Sequence, residues 1–314
     1  MTRRRPAGAN TEPVYYTSLL KLSPDDIRAR LAESPEEAVR VAYAAAVGGS
    51  HAAQVTYGQM LLDGRGTTRD LPGAFRWFGI AAKAGDVDGM NMLGRCHELG
   101  WGTPIDRGEA RACYQRAAAK DHAWAQFNLA VMLLEDEGTP GAVATALTLL
   151  VRSARQGNAK AMNMIGRYRE FGWAGRINIA SAIRWYGRAA KGGCFRGAAH
   201  SARFLLEQGK IDQALTWYRR SAEAAPADFC RDLATQLLKT QHLGLHEVGR
   251  LALRRAAEGD EAEDLFAYGH ALAFGRGGPV NLKEAAIWLA RAEAKGLPGA
   301  LAVLDDARRH PSAS

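Results

Sequence analysis

Residues at spacings that chemistry uses are few in this chain. His242, His246 and Glu247 place two imidazoles one helical turn apart beside a carboxylate, which is the beginning of a zinc site. The order is not His-Glu-x-x-His, and Cys230 is the nearest further ligand in sequence. The set therefore reads as a hydrogen-bonded surface pair rather than a metal centre. No Gly-x-x-x-x-Gly-Lys loop or Gly-x-Ser-x-Gly elbow occurs, and Gly275-Arg-Gly-Gly-Pro279 is a turn rather than a phosphate cradle. The carboxylate pairs Glu36–Glu37 and Asp305–Asp306 fall at helix ends, where solvation accounts for them. The expectation is a non-enzymatic chain with no catalytic residue, metal or cofactor.

Binding chemistry is better represented. Two stretches 72 residues apart read Met90-Asn-Met-Leu-Gly-Arg-Cys-His-Glu-Leu-Gly-Trp101 and Met162-Asn-Met-Ile-Gly-Arg-Tyr-Arg-Glu-Phe-Gly-Trp173. Side chains on a helix turn by about 100° per residue. With the Leu93-Gly94 seam and its counterpart facing inward, Asn91, Arg95 and Glu98 project from the opposite side, as do Asn163, Arg167 and Glu170. These are the candidate partner-binding residues, able to hold a carboxylate, a phosphate or a peptide backbone by charge-assisted hydrogen bonds. The competing reading is a duplicated unit whose Arg95–Glu98 and Arg167–Glu170 are ordinary surface pairs at i,i+3. Trp101 and Trp173 join the candidates as anchors for a partner, against the alternative that each folds back onto the next hairpin.

The elements that position these residues follow from a repeat. Trp77-Phe78, Cys113-Tyr114, Leu149-Leu150 and Trp185-Tyr186 recur at a step of 36, each followed by two small residues at a fixed offset, such as Ala81-Ala82 and Ala189-Ala190. The same step links Tyr57-Gly58, Leu93-Gly94, Leu129-Ala130 and Ile165-Gly166. Apolar residues at helical spacing place each set on one helix. Between the two helices lies a glycine turn (Gly64-Arg-Gly66, Gly100-Trp-Gly102, Gly172-Trp-Ala174, Gly275-Arg-Gly277), followed by Asp70, Asp106, Asn178 or Asn281 as N-cap of the second helix. A 36-residue helix–turn–helix period predicts an all-α fold, a right-handed α-solenoid of about seven stacked antiparallel hairpins.

The pattern A-x-x-x-L-G-x-x-Y-x-x-G-x-G-V-x-x-D-x-x-x-A-x-x-W-Y-x-x-A-A-x-x-G resembles the Sel-one-like repeat of the tetratricopeptide-like superfamily, in its bacterial form. Ala53 to Gly85, Gly89 to Asp121, Ala161 to Gly193 and Asp264 to Gly296 carry the resemblance most clearly. It implies a scaffold or adaptor that binds a peptide or protein in its concave groove. The expected organisation is a tail over 1–22, one solenoid over 23–309 and a tail over 310–314. Its units fall near 53–85, 89–121, 125–157, 161–193, 198–225, 230–259 and 264–296, with a capping helix over 299–309. The third unit loses the glycine turn to Glu135-Asp-Glu-Gly-Thr-Pro140. The fifth is shortened and the sixth degenerate, so the stacking between 197 and 259 is expected to change. The family's valine after the turn is mostly missing. Ser23-Pro and Ser34-Pro read as helix starts, with a Ser cap and Pro at the first position.

Charge and cysteine usage bound the partners. Net charge is +8, and from Leu150 to Arg255 there are 19 Lys and Arg against 7 Asp and Glu, a net +12. A basic middle favours an acidic protein or peptide, with nucleic acid or another anionic surface as the alternative for the 150–255 region. Arginine outnumbers lysine 32 to 9, a bias that a GC-rich genome also produces. The four cysteines, Cys96, Cys113, Cys194 and Cys230, form no C-x-x-C pair and are expected to be reduced and buried. No stretch approaches the roughly 20 apolar residues of a membrane span. The basic start Met1-Thr-Arg-Arg-Arg-Pro6 is not followed by an apolar segment, so a cytoplasmic location is expected.

Overall fold

A computed structural model describes residues 32 and 34–309, except 137, 138 and 174. The expected tails and the Ser23-Pro helix start lie outside the described residues. Among those described the chain is all-α, with sixteen helices and no strand. They are α1 (Pro35–Val47), α2 (His51–Asp63), α3 (Leu71–Lys83), α4 (Val87–Leu99), α5 (Arg107–Ala119), α6 (Ala123–Asp136), α7 (Pro140–Arg155), α8 (Ala159–Phe171), α9 (Ile179–Lys191), α10 (Phe195–Glu207), α11 (Ile211–Ala224), α12 (Ala227–Leu237), α13 (Leu243–Ala257), α14 (Ala262–Ala273), α15 (Leu282–Ala294) and α16 (Ala302–Arg309). From α2 onward, consecutive pairs form seven antiparallel hairpins of the solenoid type. The chain divides into two compact units, one ending at Gln156 and the other beginning at Gly157.

Local chemistry sets the helix boundaries. The Oδ1 atoms of Asp70, Asp106, Asn178 and Asn281 accept from the amides of Gly73, Glu109, Ser181 and Glu284 at 2.9–3.1 Å, so the anticipated N-caps all form. Ser34 caps α1 likewise, accepting from the Glu37 amide at 3.1 Å with Pro35 at the first position. The residue before three of these caps, Ile105, Ile177 or Val280, packs against the left-handed glycine that ends the preceding helix. A β-branched side chain thus covers the turn one position before the cap, although the valine right after the turn is missing.

Inside each hairpin the second residue of the recurring dipeptide is the buried one: Phe78, Tyr114, Leu150 and Tyr186 are fully enclosed. Where that residue is Phe78, Tyr114 or Tyr186, the first helix meets its ring with a glycine because nothing larger fits. A Cβ at Gly94 would stand 2.7 Å from Tyr114 Cε1, and one at Gly166 would stand 2.6 Å from Tyr186 Cε1. Small residues bring the helices together and the aromatic fills the remaining volume.

The array loses regularity in the second unit. The fifth hairpin turns in three residues, Gln208 to Lys210, with Gly209 left-handed at φ +72°, which accounts for its shorter period. After α11 the pattern breaks. Elsewhere a residue at positive φ (Gly49, Gly85, Asp121, Gly157, Gly193, Asp260) ends each hairpin before the next first helix. Ala225-Pro226 instead runs extended: Ala225 stands where the other links carry the positive φ, but the proline that follows pushes it to φ −85°, ψ 152°. As a result α11 packs against α13 rather than α12.

Candidate functional site

The first candidate set lies on α4. Asn91 is buried rather than projecting to solvent, and its Oδ1 accepts from Asn128 Nδ2 of α6 at 3.0 Å. Glu98 reaches the other side of the hairpin, where the Tyr114 hydroxyl donates to its Oε2 at 2.6 Å. Burial and this carboxylate hold the Tyr114 phenol well above its ordinary pKa. Arg95 makes no ion pair with Glu98; its guanidinium lies over the Trp101 ring, 4.6 Å from the centroid. Trp101 in turn packs on a cluster containing Leu61, Leu62, Phe78 and Cys96. It therefore folds back onto the preceding hairpin, not the next one as expected. Gly102 explains the direction. At φ +73° it lies so close to α3 that a Cβ there would stand 2.2 Å from the Leu71 carbonyl oxygen, which clasps the turn onto that hairpin.

The second set, on α8, repeats the arrangement with different neighbours. The Tyr186 hydroxyl donates to Glu170 Oε2 at 2.6 Å, and Arg203 Nη2 of α10 pairs with Glu170 Oε1 at 2.5 Å. Arg167 lies over Trp173 at 5.1 Å. Trp173 is 50% exposed and stacks on Phe171, ring centroids 5.0 Å apart, with Tyr168 edge-on at 5.3 Å. It rests on residues of its own helix. Asn163 is 94% buried, yet its Oδ1 has no hydrogen-bond partner among the described residues. His200, one residue on from the 36-residue counterpart of Asn163, stacks on Tyr186 at 4.4 Å. Burial, opposed by Glu170 but reinforced by Arg203, Arg167 and Arg196, lowers its pKa to about 4, so it is neutral at physiological pH.

The i,i+3 pairs of the competing reading are therefore absent in both copies. Each glutamate is tethered by a tyrosine, and each arginine is splinted by a tryptophan with its donors left without an ion pair among the described residues. Arg203, Asn128 and His200 were missed at the level of sequence. Applying the 36-residue step once more to Arg167 leads to Arg203, so that signal was present. The other two depend on a register between neighbouring first helices that only packing reveals.

A family model described as Sel1 repeat matches residues 51–86, 87–122, 125–158, 159–194, 205–226 and 262–297. This chain belongs to the Sel1 repeat family. A solved Sel1 repeat protein from Oxalobacter formigenes superposes with TM-score 0.56 and 21% identity, over 65% of this chain and 88% of its own. A protective antigen of uropathogenic Escherichia coli with an SLR fold is 26% identical, covering 87% and 67% of the two chains at TM-score 0.36. An immunity protein from Pseudomonas aeruginosa is 14% identical, covering 67% and 82% at TM-score 0.49. Sel1 repeat proteins are, as a class, non-catalytic scaffolds for protein–protein interaction.

The remaining chemistry-bearing residues of this Sel1 repeat chain are dispersed. His246 Nε2 contacts the Thr240 carbonyl oxygen at 2.6 Å, Glu247 pairs with Arg219 at 3.3 Å, and the Cys230 thiol points at the Ala222 and Ala225 carbonyls. Among the described residues no group of three His, Cys, Asp or Glu could hold a metal. All four cysteines are free thiols; Cys96, Cys113 and Cys230 are buried, while Cys194 is only partly so. Burial pushes the Cys96 pKa up to about 12 and that of Cys230 to about 11, which keeps both protonated and unreactive. Cys194 caps α10, its sulfur 3.5 Å from the Gly197 amide. No helix among the described residues is long and apolar enough to cross a membrane.

Proposed function

We propose that this chain is a non-enzymatic, cytoplasmic adaptor that holds acidic peptide or protein segments on first-helix faces of its hairpins, one around Arg95 in the first unit and one around Arg167 in the second. Arg95 and Arg167 are the contact residues, with the half-exposed Trp173 beside the second, while Asn91, Asn163 and Trp101 are enclosed behind them. One observation carries the reading. Both arginines are fixed over an indole while the nearby carboxylates are engaged elsewhere, so their forked donors are held ready for an external carboxylate. Such fixation lowers the entropy lost on binding. Glu98 and Glu170 act as positioning residues, since each ties the arginine-bearing helix to its own hairpin. Binding of nucleic acid through 150–255 has less support, because Arg203, Arg219, Arg231 and Arg255 of that region are paired with carboxylates of the chain itself.

Affinity capture from the native cell tests the proposal, comparing wild type with Arg95→Glu plus Arg167→Glu at matched melting temperature. Partner recovery is expected to fall by roughly tenfold or more, as loss of charge-assisted bonds implies. Equal recovery removes these faces from the function.

A further inference from the structure

The irregular hairpins create a feature that the repeat pattern does not. Arg231 of α12 and Asp264 of α14 form a bidentate ion pair, with Nε and Nη2 at 2.6 and 2.7 Å from the two carboxylate oxygens, and Asp264 is 99% buried. This bridge joins the two helices at one end. Farther along both, a cavity of about 410 Å³ opens, lined by Thr235, Leu238 and Lys239 on the α12 side and by Phe266, His270 and Arg276 on the α14 side. Leu253 of α13, Ala267 and Ala271 complete its apolar lining. Apolar cavities of this size that carry a few polar groups are the usual form of a binding site.

Its lining is basic. No acidic residue lines it. Neither Lys239 nor Arg276 has an ion pair among the described residues, whereas Arg203, Arg219, Arg231, Arg255, Arg291 and Arg308 of the same unit all do. Phe266 and Phe274 flank His270, with ring centroids 5.9 and 4.5 Å away, giving one wall an aromatic character. The opening accordingly presents an apolar interior beneath two cations without ion pairs, Lys239 and Arg276, with the Asp306 carboxylate near enough to act on His270.

We propose that the cavity between α12 and α14 receives one bulky apolar side chain of a partner segment whose flanking residues are acidic. The inference rests on the interaction-scaffold reading but uses a second site, separate in sequence from Arg95 and Arg167. Lys239 and Arg276 pair with the flanking carboxylates, and the cavity walls supply most of the apolar burial. The arrangement is an anchor in a pocket with a charged rim.

The test uses the full chain and blocked pentapeptides in which tryptophan stands between two aspartate–glutamate flanks, observed by amide NMR. Saturable shifts at Thr235, Leu238, Phe266 and His270 are expected. Serine in place of the tryptophan, or lysines in place of the flanks, should abolish them. Ala267→Trp fills the cavity and should eliminate binding. Lys239→Glu plus Arg276→Glu, at two exposed positions that leave the core intact, should weaken it by roughly tenfold. Arg95→Glu plus Arg167→Glu should leave it unchanged. The proposal is overturned if the acidic tryptophan peptide produces no shifts at millimolar concentration, if the lysine-flanked peptide binds equally, or if free dodecanoate binds the site more tightly than the peptide. Loss of peptide binding in the Arg95/Arg167 variant likewise overturns it while leaving the first site standing. Retained peptide binding alongside undiminished partner capture by that variant sinks the first site alone.

Discussion

The α4 and α8 faces share a sequence and differ in their surroundings. On α4 the Asn91 oxygen is taken by Asn128, and Trp101 is packed into the core of the preceding hairpin. On α8 the Asn163 oxygen has no partner among the described residues, Trp173 is half exposed, and Arg203 adds a second cation beside Glu170. The Glu–Tyr tether is 2.6 Å in both. What a repeat conserves internally is its own hairpin; what distinguishes one copy from another is supplied by the neighbouring helix about 36 residues on. The α8 face is therefore the more open of the two for a ligand.

The sharpest way to break this difference is at the turn. Gly102 has its counterpart in Ala174, which lies outside the described residues. Introducing the same residue on the first face, Gly102→Ala, sets a methyl 2.2 Å from the Leu71 carbonyl oxygen at a backbone φ of +73°. Neither backbone can yield locally, so a loss of about 3 kcal/mol is expected from strain and overpacking together. The melting temperature should drop, and the Trp101 indole should become accessible to acrylamide quenching. A variant that melts like wild type would show that the clasp is unimportant to how Trp101 is held.

A smaller effect comes from the tethers. Tyr114→Phe removes the only hydrogen bond that the described residues make to Glu98, whereas after Tyr186→Phe Glu170 keeps Arg203. Losing a bond to a charged acceptor costs about 1.5 kcal/mol. The first variant should show most of that in denaturant titration, and the second about half. Equal losses would mean that Arg203 contributes nothing to positioning Glu170.

Much of this was legible in the residues themselves. The 36-residue step, the four N-caps and the seven hairpins follow from spacing, because helix periodicity and capping are local properties. The burial of Asn91 and Asn163 was not. Counting 100° steps from the Leu93-Gly94 seam places an asparagine opposite that seam, but adjacent first helices cover this side too, and a single helix contains no record of its neighbour. The direction of Trp101 escaped for a related reason, since the close approach of Gly102 to Leu71 joins residues of different hairpins. The irregularity expected over 197–259 is present, and Pro226 is its local cause. The cavity beside it depends on where α12 and α14 end up, which the degenerate spacing alone does not encode.

The subtlest distinction between the two faces lies in acid. His200 follows Asn163 by 37 residues, as Asn128 follows Asn91, but it carries a titratable ring. Burial is the largest influence on it, Glu170 opposes, and Arg203, Arg167 and Arg196 add to the lowering. Its folded pKa, about 4, lies below the ordinary value of 6.5. Between these two values the unfolded chain binds more protons than the folded one, so stability rises with pH. The contribution of His200 is complete above pH 6.5 and is lost as the pH falls toward 4. His200→Asn should leave the denaturant midpoint at pH 7 almost unchanged. At pH 5 the variant should be more stable than wild type, because it has no ring to protonate and offers Asn163 the amide that Asn91 already has. Parallel pH profiles for the two proteins would show that His200 takes up its proton as readily in the fold as outside it, and the two faces would then respond alike to acid.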